Sequence, residues 1–180
     1  FRDGFTDVTT GDLSLLVVSD QDSVNRAIIV SGESGSNWNW GMYDRGDRAR
    51  VSCSDHVLGI GTTADPQLNT IIYDGSVVYG GLNGGLSDPI TYACRTSVVD
   101  NYYIGANKSA GGEASHGQQD IAEILLYDNV LAPEDRIGLE CYLNDKYQLG
   151  NPHCGGYQQV APTINSVTTL ATASLNNAFP

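Results

Sequence analysis

From Gln119 onward a strand pattern runs directly into a helix pattern, and together they predict how the chain closes. Ile121, Ala122, Ile124, Leu125, Leu126 and Tyr127 make an apolar run of strand length interrupted only by Glu123, and Asp128 with Asn129 supplies the turn residues that end it. A helix is predicted from Pro133, whose missing N–H is not needed in a first turn. Glu134 and Asp135 then place negative charge at the positive end of its dipole. Leu139, Tyr142, Leu143 and Tyr147 recur at helical spacing with Ile137 and Cys141 beside them, Lys146 sits in the last turn, and Gly150 offers a left-handed cap. Such a helix buries one face, with Tyr142 and Leu143 as the expected anchors.

Upstream, residues 13–18 read as a buried strand, 27–30 as another, 38–43 as an aromatic third, and 48–52 alternate. In NTIIYDGSVVYGG the Asp74-Gly75 pair separates two β-rich runs, because Gly accepts the positive φ of a tight turn. Residues 92–99 and 101–105 add strands before the closing strand and helix. Short strands at these intervals, with 21 Gly to turn between them, predict an all-β sandwich.

The closing segment carries a resemblance. Ile121, Ala122, Glu123, Tyr127, Leu131, Glu134, Arg136, Glu140, Tyr142, Leu143, Lys146, Tyr147 and Leu149 match the end of concanavalin A-like, laminin-G-like domains. The run from Leu13 to Asp20, the Tyr73-Asp74-Gly75 turn, Leu82-Asn83-Gly84 and the run from Tyr102 to Ala106 precede it in that family's order. The resemblance covers roughly residues 5–150. It implies an antiparallel two-sheet jelly-roll sandwich with one C-terminal α-helix over residues 1–150, lacking its earliest strands. Residues 151–180 change character and read as a linker and an extended tail. That tail is similar to the opening of an immunoglobulin-like module, with a disordered terminus and a pairing strand as the other readings. The start at Phe1 rather than Met suggests a piece of a longer precursor.

Formal charge is −12 with nine Lys and Arg, which works against nucleic acid or an anionic membrane as partner. No apolar run approaches the roughly 20 residues of a membrane span. Cys53, Cys94, Cys141 and Cys154 form an even set without a C-x-x-C pair, which fits two disulfides in an extracellular or cell-surface setting better than zinc. Of the three connectivities, 53 with 94 and 141 with 154 is favoured.

Catalytic chemistry is hard to find. Glucanases of the resembling fold place two carboxyls on one strand as Glu-x-Asp-x-x-Glu, and that motif is missing: Glu123 is the one Glu of its strand, and Asp120, three residues away, is expected on the other face. Gly32-Glu33-Ser34-Gly35-Ser36 lacks the final Gly of a nucleophile elbow, and His56, His116 and His153 are dispersed. Trp38, Trp40, Tyr43, Tyr102 and Tyr103 suit either stacking on sugar rings or core packing, with Trp38 and Trp40 expected on one face. The resemblance points to calcium in loops, for which Asp20, Asp22, Asp44, Asp47, Asn101 and Asp120 are the candidates; otherwise no cofactor is implied. Arg45-Gly46-Asp47 spells an integrin-read tripeptide or an ordinary turn, and Asn107-Lys108-Ser109 is a glycosylation acceptor expected in a loop. The expected function is non-catalytic: an extracellular module of a larger surface protein binding a glycan or another protein. The alternatives are a filament subunit self-assembling through residues 161–180, and a glycan hydrolase without the usual motif.

Overall fold

The computed structural model describes residues 8–10, 12–21, 28–34, 37–43, 48–51, 54–57, 66–91, 97–99, 101–109, 112–114, 119–150 and 152–155. In chain order the strands are β1 (Val8–Thr10), β2 (Asp12–Gln21), β3 (Ile28–Ser34), β4 (Asn37–Tyr43), β5 (Arg48–Val51), β6 (Ser54–Val57), β7 (Gln67–Asp74) and β8 (Val77–Leu82). They continue with β9 (Gly85–Leu86), β10 (Ile90–Thr91), β11 (Ser97–Val99), β12 (Asn101–Ile104), β13 (Asn107–Ser109), β14 (Gly112–Ala114) and β15 (Gln119–Tyr127). The helix α1 (Pro133–Tyr147) and a 3₁₀ turn (Pro152–Cys154) follow.

Two antiparallel sheets carry the fold. One is six-stranded, with the path β10-β8-β7-β2-β15 and β9 on β8; the other is five-stranded in the order β12-β3-β4-β5-β6. Between them lies an apolar core of Leu13, Leu15, Val17, Ile71, Tyr73 and Val78 against Ile29, Val30 and Met42. The outer face of the six-stranded sheet is covered by α1, where Leu16, Val18 and Leu68 meet Leu139 and Leu143. The two central strands are therefore buried on both sides, which is why LSLLVVS reads as a continuous run rather than an alternating one. Each such buried aliphatic side chain contributes about 1.5–3 kcal/mol.

The predicted hairpin joins β7 and β8 with Gly75 at φ 80°. Asp74 shapes it: its Oδ1 accepts from the Ser76 and Val77 amides at 3.0 and 2.8 Å and from the Ser76 hydroxyl at 3.1 Å. A second tight turn, Asn83-Gly84, has both residues at positive φ and closes β8 on β9. Asn83 also extends the sheet locally, donating its amide to the Leu68 carbonyl and accepting the Leu68 amide on Oδ1. Gly81 opposite Thr70 sits in tight quarters, since an added Cβ would stand 3.0 Å from both Leu86 Cδ2 and Thr70 Cβ and would press on both.

The helix starts at Pro133 as expected, without a side-chain cap at Ala132. Its end differs. Gln148, at φ 56°, takes the left-handed cap two residues before Gly150, and the Leu149 amide returns to the Asn144 carbonyl at 3.2 Å. The anchors differ too: Leu143 is fully buried, while Tyr142 is 39% exposed. Cys141 and Cys154 form a disulfide that ties α1 to the 3₁₀ turn. Cys53 and Cys94 lie outside the described residues.

Candidate functional site

The inward face of the six-stranded sheet can be followed as rows of directly opposed residues. Leu13, Tyr73 and Val78 form one row, and Leu126, Leu15, Ile71 and Gly80 the next. Ile124, Val17, Asn69 and Leu82 follow, then Ile121, Ser19 and Gln67. The interior thus changes from apolar to polar toward the Gln21 end of β2. Ser19, Gln67 and Asn69 are all buried. The Gln67 Nε2 donates to Asn69 Oδ1 at 3.0 Å, but Asn69 Nδ2 and Ser19 Oγ have no hydrogen-bond partner among the described residues. Sequence reasoning missed this cluster; its one signal was two amide residues at inward positions of an apolar strand.

On the outer face of the same end, Asp20 and Asp120 stand opposite each other on β2 and β15. Asp20 Oδ1 is buried without a partner among the described residues, while Asp120 is exposed. Like charges so placed repel. The register shift between Ile121 and Glu123, a bulge at Ala122, also corrects an expectation: Glu123 opposes Val18 and Asp120 opposes Asp20, so these two carboxylates share the outer face. Glu123 is nevertheless committed elsewhere. Its Oε2 accepts from Lys146 Nζ at 2.8 Å and from the Tyr147 hydroxyl at 3.0 Å. Of the remaining calcium candidates, Asn101 is on β12, while Asp22, Asp44 and Asp47 lie outside the described residues, as does the Arg45-Gly46-Asp47 tripeptide. Among the described residues, no group of three or more His, Cys, Asp or Glu gathers to hold a metal ion.

The five-stranded sheet sorts the aromatic candidates. Val30 and Met42 face the core, so the positions of Trp40, Gly32 and Tyr102, in register with one another, lie on that same inward side. A second bulge, at Asn39, sets Trp38 opposite Glu33 while Trp40 opposes Gly32. Trp38 and Trp40 therefore do not share a face by their two-residue spacing. Asn101, Glu33 and Trp38 form one row on the outward side, where the positions of Tyr43 and Tyr103 also fall. Asn107 stands on β13, paired with β14 in a short ribbon rather than in a loop. His56 is on β6, His153 is exposed on the 3₁₀ turn, and His116 lies outside the described residues.

The helix seat is a closed network by comparison. Arg136 Nη1 reaches both carboxylate oxygens of Glu140 at 2.8 and 2.7 Å, and Thr70 Oγ1 of β7 donates to Glu140 Oε1 at 3.0 Å. At the other end of the helix Lys146 lies 5.5 and 5.2 Å from the Tyr142 and Tyr147 ring centres. The hydrogen bond to Glu123 raises the Lys146 pKa above its ordinary value, with Tyr142 and Tyr147 adding to it. Burial raises the Tyr147 phenol, reinforced by its bond to Glu123; burial likewise raises Tyr127, with the nearby charges of Asp135 and Glu123 adding. These groups hold the helix in place and leave no free acid–base pair among them.

No family model matches the chain, and no curated protein matches it in sequence. Solved structures do match in shape. A native heptameric SAP-like pentraxin from Limulus polyphemus is similar at TM-score 0.59 and 14% identity, over 72% of this chain and 70% of that one. The CBM40 domain of the Ruminococcus gnavus IT-sialidase, bound to α2,3-sialyllactose, is similar at TM-score 0.56 and 15% identity, over 73% of this chain and 83% of that one. The binding domain of botulinum neurotoxin DC, in complex with rat synaptotagmin II, is similar at TM-score 0.54 and 12% identity, over 74% of this chain and 36% of that one. At such identities the likeness is one of fold: an antiparallel jelly-roll β-sandwich with a single helix, the architecture expected from the sequence.

Proposed function

We propose that the chain is a non-catalytic recognition module of a larger extracellular protein, with carbohydrate as its ligand and a protein surface as the alternative. The observation that carries this reading is the row Asn101–Glu33–Trp38 on the outward side of the five-stranded sheet. By backbone register these positions bring an aromatic, an amide and a carboxylate residue into one row, a composition that suits a sugar ring, which offers an apolar face for stacking and hydroxyls for hydrogen bonds. Tyr43 and Tyr103 extend the same side. The neighbours in shape support a binding role, since one of them holds sialyllactose and another synaptotagmin II. The Cys141–Cys154 disulfide supports an oxidising compartment. A net charge of −12 favours a neutral glycan or a basic protein surface over an acidic sugar.

A glycan array probed with and without calcium tests the reading. Binding to neutral glycans that is lost in Trp38→Ala but kept in a folded Trp40→Ala protein is the expected result. Binding unaffected by Trp38→Ala would remove the site, and turnover of any glycan would remove the non-catalytic assignment. Calcium dependence that disappears in Asp120→Asn would assign Asp20 and Asp120 to a cation.

A second reading rests on β15, the nine-residue edge of the six-stranded sheet, which among the described strands pairs only with β2. Such an edge can accept a strand from another chain, and residues 161–180 are the segment proposed to supply it in a filament. Deleting them should convert a polymer to monomers in light scattering; an unchanged size eliminates self-assembly.

A further inference from the structure

We propose that Ser19, Gln67 and Asn69 form a hydration site inside the sandwich, occupied by one buried water bridging Asn69 Nδ2 and Ser19 Oγ. Ser19 is directly opposite Gln67 and diagonal to Asn69 on the adjoining strand, all on the inward face. Diagonal neighbours in an antiparallel pair stand about 7–8 Å apart at their backbones, with side chains closer, which one water of about 2.8 Å reach on each side can span. Ser19 is 2% and Asn69 0% exposed, so bulk solvent cannot reach either group.

The chemistry of the gap selects its occupant. The Gln67 Nε2 bond engages Asn69 Oδ1 and leaves Nδ2 as the end of the Asn69 amide that still needs an acceptor. The site therefore offers a donor and a hydroxyl that can donate or accept. A cation would face the Asn69 N–H hydrogens, and an anion has no charged partner in the cluster to offset its desolvation. Water accepts from the amide and exchanges a hydrogen bond with the hydroxyl, satisfying two groups that otherwise remain buried and unmade. Buried waters occur in domains at about one per 27 residues and bind at sites of this kind. Of the two other inward rows toward Asp12, Leu126–Leu15–Ile71–Gly80 holds no polar side chain and Leu13–Tyr73–Val78 holds only the Tyr73 phenol, so the facing hydroxyl and amides belong to one end of the sandwich and are not a general property of its core.

Two measurements on the intact chain test this. In a water-selective NMR cross-relaxation spectrum of the nitrogen-labelled protein, the Asn69 side-chain amide should show a contact with a long-lived water, and Ser19→Ala should weaken it. A folded protein whose Asn69 amide shows no water contact overturns the site. Denaturation midpoints give the independent arm. With water bound, Ser19→Ala lowers the midpoint, because a bridging partner is lost; a midpoint raised by Ser19→Ala means the hydroxyl was simply unsatisfied, and the proposal fails.

Discussion

The two ends of the six-stranded sheet are built to different standards. At the Asp12 end of β2, Ser14 is satisfied twice: its hydroxyl donates to the Asn129 carbonyl at 2.9 Å and accepts the Leu131 amide at 3.0 Å, fixing the chain between β15 and α1. Asp12 and Asp74 are directly opposed carboxylates here too, but both are exposed and Asp74 is wrapped by its own turn. At the Gln21 end, Ser19, Asp20 and Asn69 each carry a buried polar atom without a partner, and Asp20 faces a second carboxylate. Each buried group left unmade costs about 1–3 kcal/mol. A sandwich that needed only to be stable would place aliphatic residues there, as it does two rows away. The satisfied end and the helix seat thus supply stability, and the polar end is where this fold departs from consistency, as proteins do at sites of hydration or binding.

The contrast breaks most visibly if the helix seat is opened. Glu140→Ala leaves Arg136 as a buried charge and Thr70 without its acceptor, and should cost about 3–5 kcal/mol in denaturant unfolding. A loss as small as that of an exposed pair would mean the seat is solvent-filled. Leu143→Ala should cost about 2–5 kcal/mol through lost burial and a cavity, whereas Tyr142→Ala should stay within about 0.5 kcal/mol. Equal costs would restore Tyr142 as an anchor. Replacing Cys141 and Cys154 by Ser should cost about 2–4 kcal/mol, seen as a lower melting temperature of the otherwise intact protein.

The same contrast explains what the sequence made legible. Apolar runs and turn residues revealed β2, the Asp74-Gly75 hairpin, β15 and the start of α1, because burial on both faces and positive φ leave direct compositional marks. Tyr142 misled for a definite reason. The buried stripe of the helix is Arg136, Leu139, Glu140 and Leu143, and its two charged members pair with each other, so hydrophobicity alone shifts the apparent stripe toward Tyr142. The bulges at Ala122 and Asn39 were equally hidden. Each inserts one residue, reversing the face of everything beyond it, and neither Ala nor Asn announces a bulge. That is why Asp120 and Glu123 were expected on opposite faces, and Trp38 and Trp40 on one.

Titration separates the helix seat from the β7–β8 turn by sign. Tyr127, Tyr147 and Lys146, all along the helix seat, hold their protons more tightly in the folded chain than at their ordinary values of 10.0 and 10.5. Their contribution is fully present below about pH 10 and is lost as pH rises through the folded values, so melting temperature should fall in that alkaline window. Lys146→Met should remove only the lysine's part of that fall. Asp74 acts in the opposite sense. Burial works to raise its pKa, but the bonds from the Val77 and Ser76 amides and the Ser76 hydroxyl outweigh it and hold the carboxyl below the ordinary 3.8. Its contribution is present above that value and lost as pH falls through the lower, folded one; Asp74→Asn should flatten that acid limb of the melting curve.

The smallest expected effect is also the one with reversed sign. Asp120→Asn keeps the shape of the side chain and removes one of two directly opposed carboxylates, so it should raise stability by about 0.2–1 kcal/mol, more at low salt than at high. Glu140→Ala and Leu143→Ala at the helix seat lower stability; this one at the polar end should not. The gain is expected without calcium. If millimolar calcium stabilises the unsubstituted protein and not Asp120→Asn, the repulsion between Asp20 and Asp120 is the resting cost of a cation site. If Asp120→Asn lowers stability in calcium-free, chelator-treated solution, the two carboxylates are not in opposition, and the distinction between the two ends of the sheet loses its electrostatic half.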